Sequence, residues 1–295
     1  RRRIGRGGRQ RDGQRRCGLL ARRRRGARCG RRRCAFRGRV RHFLHCGTIW
    51  AYGAAERVPY RECYPRRPFC QYGRDKVTIE KSLQAAWRRE GFPATVIHPG
   101  HISGRRWLPI DPQGSRDGVG VYERLATGQT VHLPDTGLAT LHHVHGDDVA
   151  QLFQLAMEQP VASLGESFSA VAPYALSLRA CAQCVAGFFG RTPQLEYVPL
   201  ERLRDHVGEQ SFQIIQDHVR HSPCASIEKG QRLLGYQPRY TSEQIYEECL
   251  EYLLAEEGSS LLAVDAEGVS FHALPPRARI EAAVRAYREV LERPA

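Results

Sequence analysis

The chain has 295 residues, of which 41% are apolar, and carries a formal net charge of +14. It is long enough to bury its own core, and with no run of 18 apolar residues it contains no hydropathic membrane span. Residues 1–41 hold 19 Arg and one acid, Asp12, so this segment carries +18 and the remainder sums to −4. The basicity belongs to one segment, which excludes a general nucleic-acid-binding surface over the whole chain.

Residues 1–41 have 8 Gly and no Lys, and show neither a helical nor a strand period. Such a stretch buries too little apolar surface to offset chain entropy. One reading is a basic arm on nucleic-acid phosphates, although RNA-binding arms interleave aromatics and only Phe36 is present. The composition fits better with GC-rich codons read out of frame, with the proper sequence resuming near His42. In that case another frame upstream of His42 should encode a β-α-β pattern with a glycine-rich turn. No apolar stretch follows the N-terminal charges as in a secretory signal. The ten Cys lack paired metal-ligand spacing, and Cys181-x-x-Cys184 lies in an apolar helical pattern, which reads as packing in a reduced, cytoplasmic setting.

From residue 40 the pattern changes. VRHFLHC (40–46) reads as a strand ending at Gly47-Thr48, and 53–68 reads as a loop. Residues 69–89 fit a helix stopped by Gly91. ATVIHPG (94–100) has the continuous apolar character of a parallel strand buried on both faces. VGVYERLATG is helical and TVHL is a strand. ATLHHVH (139–145) reads as one strand, leading to a helix capped by Asp147 or Asp148. The strand ESFSAV, the helix SLRACAQCVAGFFG, the strand LEYVPL and helical stretches near 200–220, 226–234 and 242–256 follow. This alternation predicts an α/β fold with a parallel sheet, and the mixed segments from about 160 suggest a smaller C-terminal lobe. Residues 275–294 form an amphipathic helical pattern that can pack on the body, mediate a homodimer, or be a read-through product.

Three features stand in order along this pattern: Gly47-Thr48 at a strand's end, Tyr72 and Lys76 one helical turn apart, and HPGHISG after the next strand. Sites of open α/β sheets lie at the carboxyl ends of strands. A free phenol has a pKa near ~10. A nearby ammonium favours phenolate and makes Tyr72 a usable base, while Thr48 can hold a substrate hydroxyl or carbonyl. The five histidines 98, 101, 142, 143 and 145 read as core or pocket residues rather than metal ligands, and no metal is expected. His101 and Arg105, just past the strand, can touch substrate. Tyr52 reads as packing under the site, and His221-Ser222-Pro223 is a weak substrate-lobe candidate.

CGTIWAYG, YGRDK, IHPGHISG, HHVHGDDVA and SIEKGQRLLGYQPRY together resemble the extended short-chain dehydrogenase/reductases, the NAD-dependent epimerase/dehydratase family, over about residues 42–255. The resemblance implies a Rossmann-like fold with NAD or NADP as cofactor. It makes Thr48, Tyr72 and Lys76 catalytic and places Tyr72, Lys76, Pro99, Gly100 and Ile102 beside the cofactor, with the helix-opening Asp structural. The sequence departs from the family where Cys46-Gly47 replaces Ser-Ser and where His98 replaces Arg. Its opening glycine-rich β-α-β unit is also missing, so the expected Rossmann sheet is N-terminally incomplete. The organisation expected is 1–41 disordered or frame-shifted, 42–160 the remaining cofactor domain, 161–256 a substrate lobe with returning sheet elements, and 257–295 an extension with an amphipathic helix. The function expected is an NAD(P)-dependent epimerase, dehydratase or reductase acting on a sugar nucleotide or similar small molecule. A non-catalytic binding protein on the same fold, with a nucleic-acid arm confined to 1–41, and an inactive fragment are the alternatives.

Overall fold

A computed structural model describes residues 38–105, 107–115 and 119–255. The expectations for 1–37, including most of the arginine-rich segment, and for the 275–294 helix lie outside the described residues. Strand β1 (Phe43–Cys46) pairs in parallel with β2 (Ala94–Pro99), and β2 pairs in parallel with β7 (Ser167–Ala170). This gives a three-stranded sheet in the order β1-β2-β7. The α/β class and the parallel sheet are therefore present.

Every residue of β2 is buried, as its composition requires. Alternation along the strand divides its side chains between two helical layers. Ala94 and Val96 pack with Leu83 and Ala86 of helix α1 (Gln71–Glu90). Ile97 joins Val149, Leu152 and Ala156 of helix α3 (Gly146–Glu158) on the other side. His98 thus falls on the α1 face. Helix α1 begins at an N-cap, Cys70, whose sulfur accepts from Gly73 N at 3.3 Å, and ends at Gly91 with φ 62°. Arg88 and Arg89 in its last turn suit the negative end of the helix dipole.

The second layer of structure contains helix α2 (Gly120–Thr127), β4 (Val131–Pro134), α5 (Leu178–Phe188), β9 (Leu195–Val198), α7 (Glu209–Asp217) and α9 (Ser242–Ala255). Its apolar cluster takes Ile110, Leu125, Leu133 and Leu141 from the first half of the chain and Leu178, Ile215 and Leu254 from the second. The cluster thus draws on residues from both sides of position 160, the boundary expected for a C-terminal lobe. Strand β7, at 167–170, returns to the first sheet.

Two local expectations are corrected. Residues 139–145 form two strands rather than one. β5 (Thr140–Leu141) pairs antiparallel with β8 (Leu176–Ser177), and β6 (His143–His145) pairs parallel with β3 (His101–Ser103). His142 sits at the break, with Nε2 2.9 Å from Ala172 O and Nδ1 accepting from Ala225 N at 3.0 Å. The cap of α3 is neither Asp147 nor Asp148. His145 holds that position, its Nδ1 accepting from Asp147 N at 3.1 Å. Asp148 is buried and accepts from the N–H groups of Arg239 and Tyr240 at 2.8 and 3.1 Å, tying α3 to the segment before α9.

Candidate active site

The site is built at the carboxyl ends of β1 and β2, where a parallel sheet opens. After Cys46 the chain turns into a single 3-10 turn, Ile49–Ala51, with Thr48 as its N-cap. The Thr48 hydroxyl oxygen accepts from Trp50 N at 3.3 Å, and the residue is buried. Tyr72 is on the first turn of α1, 46% exposed, with its ring edge-on to Trp50 at 5.7 Å. Lys76, one turn further, places Nζ 5.4 Å from the centre of the Tyr72 ring and donates to Cys46 O at 2.6 Å.

Thr48, Tyr72, Pro99, Gly100, His101 and Ile102 border one cavity of about 290 Å³, completed by Cys46, Gly47, Trp50 and Trp107. Six of the eight residues singled out from sequence therefore meet at one opening, and Lys76 stands behind Tyr72. Gly100 is required by close approach, since a Cβ there would overlap the carbonyl oxygen of His142. Arg105 is not on the cavity wall. Its Nε donates to Glu248 at 3.1 Å, and the same carboxylate meets His145 Nε2 at 2.7 Å. His221 is stacked on Phe69 with ring centres 3.8 Å apart.

Three features were missed from sequence. Trp50 lies within the quoted CGTIWAYG motif, stacked on His218 and edge-on to His101. Trp107 is 63% exposed at the cavity mouth, and a large exposed aromatic is visible only in three dimensions. Glu80 is buried on the apolar face of α1, and that charge within the stripe Val77, Leu83, Ala86 was the available signal. Its carboxylate takes two hydrogen bonds from Arg66, at 2.8 and 3.0 Å, and lies 2.9 Å from His98 Nε2 and 2.8 Å from Ser167 Oγ. Burial by itself would raise the Glu80 pKa, but the hydrogen bonds and charges of His98 and Arg66 outweigh it and hold the carboxyl well below the usual range. Tyr52 packs beneath, its ring stacked on Tyr60 at 5.0 Å and 5.9 Å from His98, with its phenol pushed up by burial.

The residues present fit the nicotinamide end of a dinucleotide: a phenol borders a small cavity lined by Pro99 and Gly100, with an ammonium 5.4 Å from the phenol ring. Among the described residues no three glycines stand at the spacing of a dinucleotide phosphate turn. Also among them, no group of three or more His, Cys, Asp or Glu is placed to hold a metal ion, and no helix is long and apolar enough to cross a membrane.

Comparison with known proteins bears on the fold and the family. Over 101 residues the chain is 30% identical to 2'-dehydrokanamycin reductase of Streptomyces kanamyceticus, a stretch covering 34% of this chain and 28% of the reductase. The fold is similar to UDP-glucose 4-epimerase of Thermotoga maritima, with TM-score 0.58 and 23% identity over 74% of this chain and 65% of that one. It is also similar to dTDP-glucose 4,6-dehydratase of Bacillus anthracis, with TM-score 0.58 and 17% identity over 73% and 62%. The chain spans less than two thirds of each of these relatives, and the two structural likenesses concern the fold. Residues 32–170 match the model of the NAD dependent epimerase/dehydratase family, a match that begins inside the arginine-rich segment. Over residues 32–170, just under half of its length, the chain is thus similar to the NAD dependent epimerase/dehydratase family.

Proposed function

We propose that this chain is an NAD(P)-dependent oxidoreductase or epimerase acting on a hydroxyl or carbonyl of a sugar nucleotide or similar small molecule. One observation carries the reading: Thr48 and Tyr72 border the same cavity as Pro99 and Gly100, with the Lys76 ammonium behind the Tyr72 ring. The Thr48 hydroxyl orients the reacting oxygen. Tyr72 removes its proton or returns it, and Lys76 favours the phenolate while reaching the cofactor's ribose. Pro99 and Gly100 would border a bound nicotinamide, which would supply the hydride acceptor or donor. Trp50 and Trp107 shape the mouth through which substrate enters. The relatives support the substrate class: one is named for UDP-glucose, another for dTDP-glucose, and a third for a dehydrokanamycin.

The test is turnover of UDP-glucose and related sugar nucleotides by the full chain with NAD(H) or NADP(H), followed by the Tyr72→Phe variant. Turnover in the wild type and its loss in a folded Tyr72→Phe protein are expected. Activity retained by Tyr72→Phe overturns the assignment of the base. Failure to bind either dinucleotide at millimolar concentration favours a non-catalytic protein on the same fold.

A further inference from the structure

We propose that His98 is the positioning residue for Thr48, acting through its Nδ1 in a space that only a glycine at 47 leaves open. The inference rests on the reading of Thr48 as a substrate-orienting residue. The pairing of β1 with β2 ends where Gly47 N donates to Ile97 O at 2.6 Å. One residue later the backbone leaves the sheet, and no strand carbonyl is aligned with the next N–H. The His98 side chain takes over: Thr48 N lies 3.1 Å from its Nδ1, and Thr48 O lies 3.0 Å from the same atom. Nδ1 can accept from the Thr48 N–H or, when it carries a proton, donate to the Thr48 carbonyl, one at a time.

The ring is held from its other side. Nε2 lies 2.9 Å from the buried Glu80 carboxylate, which Arg66 and Ser167 also engage. Nε2 donating to Glu80 leaves Nδ1 as an acceptor for the Thr48 N–H whenever the ring carries a single proton. A Cβ at position 47 would stand 2.5 Å from Nδ1 and 2.8 Å from Cε1 of His98, and 3.1 Å from Val96 Cγ1. Those are ring and packed side-chain atoms of a fully buried residue, with no flexible end to move aside. Gly47 and His98 therefore form one device: the missing side chain at 47 is the room in which the ring reaches Thr48.

The device is distinguishable from a histidine that merely partners Glu80. His98→Asn keeps a polar atom near the Nδ1 position and gives up the Glu80 contact. His98→Gln does the reverse. Hydrogen exchange of the Thr48 amide, read by NMR on the full chain with the amides of Val77 and Leu83 in α1 as internal reference, separates the two. Positioning through Nδ1 predicts exchange at Thr48 about tenfold faster in His98→Gln, the fold-change of one lost hydrogen bond. It predicts near wild-type exchange at Thr48 in His98→Asn, with the α1 amides little changed in His98→Gln. Gly47→Ala should reproduce the His98→Gln result. Unchanged protection of Thr48 in both His98→Gln and Gly47→Ala overturns the proposal. If the wild type turns over UDP-glucose, His98→Gln should lower kcat with KM little altered. An inactive wild type whose Thr48 amide still follows His98 defeats the proposed function and leaves the positioning role standing.

Discussion

The Lys76 ammonium donates to the carbonyl of Cys46 at 2.6 Å, bridging the first turns of α1 to the end of β1. The bond fixes a flexible four-carbon side chain and sets its charge 5.4 Å from the Tyr72 ring, itself on the cavity border. Lys76 therefore has a structural partner as well as the electrostatic part proposed for it. Lys76→Met should lower NAD(P)H-linked turnover by roughly 10²-fold, the usual scale of losing an acid–base element. Its melting free energy should fall by only about 1 kcal/mol, because the bond lies at a half-open surface. Comparable losses of activity and fold would instead mean that Lys76 acts chiefly as a brace.

Thr48 combines a cap and a cavity hydroxyl. Thr48→Ser preserves the acceptor for Trp50 N and should retain most activity. Thr48→Val removes the acceptor, with an expected cost of about 1 kcal/mol in stability. Turnover should drop by roughly 10²-fold, as for other oriented donors at a reacting oxygen. Steady-state kinetics beside urea denaturation checks the pair; equal kcat in the two variants would remove the hydroxyl from the mechanism.

Two ion pairs predict opposite outcomes. Glu80 and Arg66 are buried, whereas Arg61 and Glu228 pair at 3.0 Å with more than half of each side chain exposed. Glu80→Ala leaves a buried guanidinium without its carboxylate and should cost about 3–5 kcal/mol. Glu228→Ala should change stability by less than about 1 kcal/mol. Denaturant midpoints of the two variants give the comparison directly.

Asp111 and His142 set the pH limits from opposite sides. Burial pushes the Asp111 carboxyl from its ordinary 3.8 up to about 7, against the hydrogen bonds it accepts from Ser115 N and Gln113 N. The folded state then binds more protons than the unfolded one, so stability falls as pH rises from about 4 to 7, by roughly 4 kcal/mol. Burial pushes His142 from 6.5 down to about 4. There the unfolded state binds more protons, and stability falls as pH drops below 6.5. The two contributions overlap between about pH 4 and 6.5 and nearly offset in the wild type. Asp111→Asn should therefore remove the first and leave stability rising with pH over that range. A wild-type stability that rises monotonically from pH 4 to 7, unaltered in Asp111→Asn, would contradict the buried carboxyl.

Much of the site was legible in the chain because it is local. Tyr72 and Lys76 share a helix face by period alone, and the buried composition of 94–99 marks a parallel strand whose carboxyl end is at Pro99-Gly100. Alternation along β2 also places His98 on the side of Ala94 and Val96. What alternation lacks is the partner, because Glu80 reaches that face only once α1 has packed. Residues 139–145 show the complementary failure. Their apolar run suits a strand everywhere, and only the competing partners β3 and β8 break it at His142.

The sequence by itself therefore determined the α/β order, the helix carrying Tyr72 and Lys76, and the motif that meets it, since each follows from short-range periodicity and residue chemistry. Tertiary structure decided which residues close the cavity, that Arg105 turns to Glu248 instead, and that the ring of His98 occupies the space beside Gly47. Those outcomes depend on close packing between segments about 50 to 140 residues apart, where a difference of one Cβ selects the neighbour.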